Sequence, residues 1–154
     1  MLQNEFIMKK TVSSLIIYKE KVLLLLRDNI SEITDPNKWQ TIGGYVEEGE
    51  SFDMAIKREI KEEAGLSPSS NKYYGKIINK GHIIGIYISY LTDEEVKEIK
   101  LGNEGQALNF FTLDEIQKLD LTPPSKMYFE KYLSQIERLI NRDTVTIKEL
   151  GLIT

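Results

Sequence analysis

Residues 44–66 read GYVEEGESFDMAIKREIKEEAGL, and the rest of the chain is organised around this stretch. Ser51 suits the N-cap of a helix that begins at Phe52, because its hydroxyl can accept a hydrogen bond from an otherwise unpaired backbone N–H. Gly65 suits the left-handed position that ends a helix, and Pro68 follows it, as is common after a helix end. The stretch therefore predicts one helix that begins at Phe52 and stops before Gly65.

Three glutamates of this helix share one face. Glu59, Glu62 and Glu63 stand at i, i+3 and i+4, and their face adjoins the apolar stripe of the helix. A solvated face with mixed charges is the alternative interpretation, but such a face should lie opposite the apolar stripe. Carboxylates that leave water need a partner, and magnesium prefers oxygen ligands. The pattern therefore favours a metal site. The apolar stripe consists of Phe52, Ile56, Ile60 and Ala64.

The fixed positions of the stretch follow the pattern G-x5-E-x7-R-E-U-x-E-E-x-G-U, in which U is a large aliphatic residue. They are Gly44, Glu50, Arg58, Glu59, Ile60, Glu62, Glu63, Gly65 and Leu66. In this pattern the chain resembles the Nudix family, whose members hydrolyse nucleoside diphosphates linked to another moiety. The resemblance implies a water attack on phosphorus in a pyrophosphate linkage, with Mg²⁺ as the cofactor and Mn²⁺ as an alternative.

The resemblance also implies the metal ligands. They are the side chains of Glu62 and Glu63, with Glu59, the carbonyl of Gly43 and the downstream Glu104 as further ligands. Glu104 lies in the segment GNEGQ, and its two flanking glycines predict a loop that can swing the carboxylate inward. The alternative for Glu104 is a surface turn, and the alternative for the Gly43–Gly44 pair is an ordinary tight turn.

The catalytic roles come from the same resemblance. Glu59 resembles the general base of the family, Arg58 would hold it, and Glu50 would support its orientation. The division of roles between Glu59 and its neighbours stays open. The lead KWQTIGG over residues 38–44 also resembles the family, although the family often has proline where this chain has Ile42.

Apolar runs on both sides of the helix predict a sheet. Thr11–Tyr18 and Val22–Arg27 predict a hairpin, and the continuous run Val22–Leu26 is typical of a strand buried on both faces. Further strands are predicted at Lys72–Asn79, Ile83–Leu91 and Ala107–Phe111, after a loop at Asp28–Lys38. The order of elements predicts an α+β fold, and the resemblance implies a Nudix-type α/β/α sandwich with a mixed β-sheet between helices.

The C-terminal third is predicted to be mostly helical. Thr92–Lys100 fits a short helix or an exposed loop, and Thr112 is a candidate cap for a helix over Leu113–Leu119. Pro123 and Pro124 open a last helix that reaches about Asn141 and has one apolar face. An interaction module that uses this helix or the tail is the non-enzymatic alternative.

One domain is predicted for residues 1–154. Its core spans about 10–141, after a loosely ordered lead at residues 1–10. Residues 142–154 form a tail of unassigned role, with strand character at Val145–Ile147.

Composition excludes several classes of function. The net charge of −4 and pI near 5.2 argue against a nucleic acid polymer as partner. The absence of cysteine excludes disulfides and thiolate metal sites. The apolar run Val22–Leu26 is too short to span a bilayer, and no cleavable signal follows Met8–Lys10. We therefore expect a cytoplasmic protein with no membrane partner, and the prediction leaves room for a homodimer.

The substrate is predicted only in outline. Within the family, a proline some fifteen residues past the conserved stretch marks ADP-ribose enzymes and a tyrosine slightly further on marks diadenosine polyphosphate enzymes. Here that region reads GHII over residues 81–84 and lacks both. We therefore favour a nucleoside triphosphate, either a common or a modified one, cut to monophosphate and pyrophosphate. The alternatives are a nucleotide sugar, ADP-ribose, or a ligand-sensing domain without catalysis. No base-binding residue is assigned among the aromatic candidates Tyr73, Tyr87, Phe110 and Phe111, and His82 is treated as a solvated turn residue.

Overall fold

The computed structural model describes residues 8–154 as six strands and five helices. The strands are β1 (Lys9–Tyr18), β2 (Lys21–Leu26), β3 (Trp39–Tyr45), β4 (Lys72–Asn79), β5 (His82–Tyr90) and β6 (Ala107–Phe111). The helices are α1 (Phe52–Ala64), α2 (Asp93–Val96), α3 (Leu113–Ile116), α4 (Pro123–Lys131) and α5 (Leu133–Ile140). Residues 1–7 of the predicted lead lie outside the described residues, whereas Lys9 and Lys10 belong to β1 rather than to a loose lead.

The six strands form one mixed sheet in the order β4-β5-β1-β3-β2-β6. β1 and β5 are parallel, and the other pairings are antiparallel. The mixed sheet predicted from the sequence is thereby confirmed. No helix within residues 8–154 combines the length and the apolar character that a membrane crossing requires.

Helices cover both faces of the sheet. Along β1, Val12 and Ile16 face the core under α1, whereas Leu15 and Ile17 face the core under α4 and α5. This alternation follows from the two-residue period of a strand. Residues 22–25 of β2 are all at most 3% exposed, as predicted for a strand buried on both faces. The predicted α/β/α sandwich is confirmed.

Helix α1 has the predicted ends. The Ser51 hydroxyl accepts a hydrogen bond from the backbone N–H of Met54 at 3.1 Å. Gly65 adopts a left-handed φ of 70°, and its N–H donates to the carbonyl of Lys61 at 3.0 Å. Both caps are local consequences of residue type, which is why the sequence predicts them.

The predicted last helix is wrong as a single element, because it breaks at Tyr132 into α4 and α5. Tyr132 has a φ of −114° and a ψ of 28°, outside helical geometry. The break lets Phe129 of α4 and Ile136 of α5 both reach the core, at 2% and 0% exposure. Helix α3 is also shorter than predicted, although Thr112 caps it as expected.

The tail is part of the packed structure. Val145, Leu150 and Leu152 are buried in the core under α4 and α5, so the core extends beyond residue 141. The predicted strand character at Val145–Ile147 is wrong. A 3₁₀ turn at Lys148–Leu150 follows instead, and only Ile153 pairs with Lys76 of β4. Burial of scattered apolar residues, rather than a regular strand, holds the tail in place.

Candidate active site

Helix α1 crosses β3 where the strand carries its two glycines. The backbone N–H of Gly43 donates to Oε1 of Glu63 at 2.8 Å. A methyl group on Gly44 would lie 2.6 Å from Oε1 of Glu59, so only glycine leaves room for that carboxylate. Both glycines lie inside β3, so the alternative of a tight turn is wrong. The glycine pair lets the side chains of Glu59 and Glu63 lie directly against the strand.

Arg58 joins the glutamates into one network. Its guanidinium makes a two-pronged contact with Glu50, at 2.8 and 2.9 Å. It also donates to Glu59 at 2.9 Å, to Glu62 at 3.2 Å and to the carbonyl of Tyr45 at 2.9 Å. The rigid donor fork of arginine suits this arrangement, which the single ammonium of lysine could not reproduce. The contacts place Arg58 between Glu50 and Glu59, as the sequence predicted.

The charge of Arg58 sets the state of its partners. Its hydrogen bonds, together with the backbone N–H of Glu47, lower the pKa of Glu50 to about 2. Hydrogen bonding to Glu50 raises the pKa of Arg58 in return, against the opposing effect of burial. Glu50 is therefore ionised at any pH at which the protein would be assayed.

Glu59 and Glu63 have the opposite shift. Burial raises the pKa of Glu63 to about 8, against the hydrogen bond from Gly43, and the charges of Glu59, Glu104 and Glu62 add to the rise. Burial also raises the pKa of Glu59, although Arg58 opposes that effect. The carboxylates of Glu59, Glu62, Glu63 and Glu104 thus repel one another, and the repulsion acts on Glu59 and Glu63 where both are partly or fully removed from water.

Glu104 approaches this region from the loop before β6. Its charge contributes to the raised pKa values of both Glu59 and Glu63, which places it near them. Glu104 itself is exposed, as is Glu62, whose side chain keeps 59% of its accessible surface. The structure thus groups the predicted site residues along one side of α1, with Glu63 buried, Glu50 and Glu59 half-buried, and Glu62 and Glu104 exposed.

Comparison with known proteins identifies this arrangement. The family description of the NUDIX domain matches residues 8–132 of the chain. The chain belongs to the Nudix family. Helix α1 and the end of β3 therefore carry the residues of the Nudix signature.

Individual relatives agree at the level of family. The ADP-ribose pyrophosphatase of Methanocaldococcus jannaschii is 34% identical over 115 residues, which cover 70% of this chain and 64% of that protein. The oxidized purine nucleoside triphosphate hydrolase of Mus musculus is 28% identical over 102 residues, covering 64% of each protein. The chain thus matches just under two thirds of the length of these relatives. A Nudix hydrolase from Nitrosomonas europaea shares the fold with a TM-score of 0.72 over 95% of this chain and 78% of that one, at 21% identity.

The chemistry of the donors fits a hard divalent cation. Glu59, Glu62, Glu63 and Glu104 supply only oxygen, which Mg²⁺ prefers, and their mutual repulsion is what such a cation removes. Within residues 8–154, no three acidic or histidine side chains lie in an arrangement that could already hold a metal ion. Glu59 and Glu62 accept from Arg58, and Glu63 accepts from Gly43. Occupation by a metal would require some of these side chains to exchange partners.

Stability should reveal the buried carboxyl of Glu63. Between its unfolded pKa of 4.5 and its folded pKa of about 8, the folded protein keeps a proton that the unfolded chain has lost. The metal-free protein therefore loses stability as pH rises through this window, by up to about 1.4 kcal/mol per pKa unit. We expect urea unfolding to show that Glu63→Gln stabilises the metal-free protein increasingly from pH 5 to pH 8.

The titration of His82 and the effect of added Mg²⁺ provide the controls for this unfolding experiment. Burial lowers the pKa of His82, so below the unfolded pKa of histidine this residue makes the free energy of unfolding rise with pH, opposite to the effect of Glu63. Both proteins contain His82, so subtracting the unfolding free energy of the wild type from that of Glu63→Gln removes its contribution. Added Mg²⁺ should stabilise the wild type more at pH 8 than at pH 5, because a bound carboxylate must lose its proton. A constant difference between the two proteins from pH 5 to pH 8 would contradict the burial of Glu63.

A second surface of this Nudix domain lies on the opposite face of the sheet from α1 and was missed by sequence reasoning. On the sheet face away from α1, Ser13 and Thr41 contact each other at 2.7 Å, and Thr11 contacts His82 at 2.8 Å. Ser13 is paired with Gly43 in the sheet. We call Thr11, Ser13, Thr41 and His82 the polar strip. All four side chains are half-buried, and the alternation of polar residues at the start of β1 is the one sequence signal of this surface.

Proposed function

We propose that the protein is a metal-dependent hydrolase that cleaves a pyrophosphate linkage in a nucleoside diphosphate derivative. The observation that carries the proposal is the placement of Glu59 and Glu63 against the Gly43–Gly44 backbone, with Arg58 holding Glu59. Family membership supports the same reaction class.

The reaction requires a general base, and we assign this role to Glu59. Water attacks a phosphorus, a new P–O bond forms, and the bond to the bridging oxygen breaks. Glu59 would take the proton of the attacking water, because its burial raises its pKa and makes it a stronger base. Arg58 would hold that carboxylate in position, and Glu50 would hold Arg58. Such a reaction depends mainly on alignment and charge neutralisation.

Glu62, Glu63, the carbonyl of Gly43 and Glu104 would hold the cation. When bound, Mg²⁺ neutralises phosphate charge and acidifies the attacking water. The donor set supports this assignment by its chemistry, since the same carboxylates repel one another without a cation.

The favoured substrate is a nucleoside triphosphate, cut to the monophosphate and pyrophosphate. Uncharged donors and acceptors of the polar strip suit the base and sugar of a nucleoside, and Ser13 of the strip pairs in the sheet with Gly43, whose N–H contacts Glu63. The similarity to the mouse enzyme named for oxidized purine nucleoside triphosphates supports this choice. The aromatic candidates Tyr87 and Phe111 do not add to it, because both are buried in the two cores.

ADP-ribose is the second candidate substrate. The similarity to the Methanocaldococcus jannaschii enzyme named for ADP-ribose favours it, although this chain lacks the proline that marks such enzymes. A Nudix domain retained as a ligand sensor is the remaining alternative. It would bind a nucleotide without turnover.

A substrate panel tests these proposals. Common and oxidised nucleoside triphosphates, ADP-ribose, a diadenosine polyphosphate and nucleotide sugars are assayed with Mg²⁺ at equal concentration, by phosphate release after phosphatase or pyrophosphatase treatment. We expect the highest kcat/KM for a triphosphate. A tenfold preference for ADP-ribose or a nucleotide sugar, roughly 1.4 kcal/mol, would overturn the triphosphate proposal. Binding without any metal-dependent turnover would instead favour the sensor.

Glu104 should contribute less than the buried glutamates. We expect Glu104→Gln to weaken Mn²⁺ binding about tenfold, or roughly 1.4 kcal/mol, because one exposed carboxylate leaves a site that keeps its other ligands. Titration calorimetry with Mn²⁺ measures this change directly. A crystal structure with Mg²⁺ and a substrate analogue would refute the assignment if Glu104 pointed into solvent, away from every metal and bound water.

A further inference from the structure

The loop that carries Glu104 is fixed at both ends. Its first end lies on the C-terminal turn of α1, where the backbone N–H of Lys100 donates to the carbonyl of Ala64 at 3.0 Å. The N–H of Gly102 donates to the carbonyl of Glu63 at 3.3 Å. These bonds occupy helix carbonyls that have no partner within the helix. The loop is therefore attached to the backbone of the helix that carries the other glutamates.

Gly102 makes this attachment possible. A methyl group at Gly102 would overlap the carbonyl oxygen of Glu62, a backbone atom that cannot rotate away. Because a carbon and an oxygen ordinarily stay about 3.3 Å apart, any side chain here would push the loop roughly 1 Å or more from α1. Glycine is required at this position by close approach, not by an unusual φ.

The other end of the loop is hydrogen-bonded to the segment between β2 and β3. The Gln106 side-chain amide donates to the carbonyl of Arg27 at 2.7 Å and to the side chain of Asn37 at 2.9 Å. Between the two ends, Gly105 has a φ of 91° and packs against Leu25. The glycines around Glu104 thus seat the loop closely against α1 and β2.

We propose that Gly102 and Gln106 are positioning residues that hold Glu104 beside the glutamates of α1. Gly102 sets the distance of the loop from the helix, and Gln106 prevents the loop from turning about that attachment. The inference rests on the proposed function, because it assigns Glu104 to the metal site. Neither residue belongs to the proposed ligand set, so we expect both to act through Glu104.

Metal binding without substrate tests the inference. Mn²⁺ binding is measured by the electron paramagnetic resonance signal of the unbound ion. We expect Gly102→Ala to weaken binding by up to about tenfold, the lower end of the range typical of residues that orient metal ligands and no more than the loss from Glu104→Gln, and Gln106→Ala to weaken it by a smaller factor. Asn103→Ala is the matched control, because Asn103 is an exposed residue of the same loop. It should bind Mn²⁺ like the wild type.

The decisive measurement combines each change with Glu104→Gln. If Gly102 and Gln106 act through Glu104, the double variants bind Mn²⁺ no more weakly than Glu104→Gln alone. Losses that multiply would overturn the inference, as would wild-type binding in both single variants. Gln106→Ala alters only an exposed side chain, so this comparison survives even if Gly102→Ala fails to fold. A wild-type protein that binds no Mn²⁺ would overturn the proposed function together with this inference.

Discussion

Glu63→Gln should reduce kcat by about 1,000-fold or more, which corresponds to roughly 4 kcal/mol of transition-state stabilisation. Glu63 is 8% exposed and lies against the Gly43 backbone, and its carboxylate offers a hard cation a negative charge that a neutral amide cannot supply. Glutamine keeps the shape of the side chain and an oxygen that can accept from Gly43. The fold should therefore remain, and kcat is measured at saturating substrate and Mg²⁺.

The controls for this variant separate chemistry from folding. Glu98→Gln removes an equal charge from an exposed site near the end of α1, and it should leave kcat unchanged. Circular dichroism and urea unfolding should show a folded Glu63→Gln protein whose metal-free form is more stable than the wild type at pH 8. Turnover within tenfold of the wild type would refute the assignment of Glu63 as a metal ligand.

Arg58→Ala should lower the free energy of unfolding by about 2 kcal/mol, more than for an exposed ion pair and less than for a fully buried one, because Arg58 and its partners are half-buried. Arg58 contacts Glu50 and Glu59, whose side chains keep only 12% and 14% of their accessible surface. Without the guanidinium both carboxylates lose their principal cationic partner. We also expect kcat to fall about 100-fold, because Glu59 is no longer held in position. Urea unfolding and steady-state kinetics measure the two effects.

Lysine at position 58 distinguishes charge from geometry. Arg58→Lys keeps the positive charge but loses the two-pronged contact with Glu50, so it should recover part of the stability and little of the turnover. Arg138→Ala is the matched control for loss of an arginine ion pair. The pair of Arg138 with Glu149 is exposed, at 44% and 40%, and exposed pairs contribute little. Equal losses of unfolding free energy in Arg58→Ala and Arg138→Ala would show that the network around Arg58 stabilises the fold no more than an exposed ion pair does.

Local chemistry explains why much of this protein could be predicted. Ser51 and Gly65 determine the ends of α1 through their own side-chain and backbone properties, within a few residues of chain. The continuous run at residues 22–26 predicts a buried strand, because no polar face is present in it. The spacing of the fixed positions in residues 44–66 predicts the family, which the match over residues 8–132 confirms. Each of these signals depends on neighbours in sequence.

The sequence by itself therefore determined the α1 helix, the strands around it, the family and the set of candidate site residues. Only the tertiary structure decided the break at Tyr132, the burial of the tail through Leu150 and Leu152, and the close seating of Gly102 on α1. The physical reason is the sequence separation of the contacts involved. These three features arise from contacts between segments that are distant in sequence, and such contacts outweigh the weak local preferences of residues that could otherwise continue a helix or form a loop.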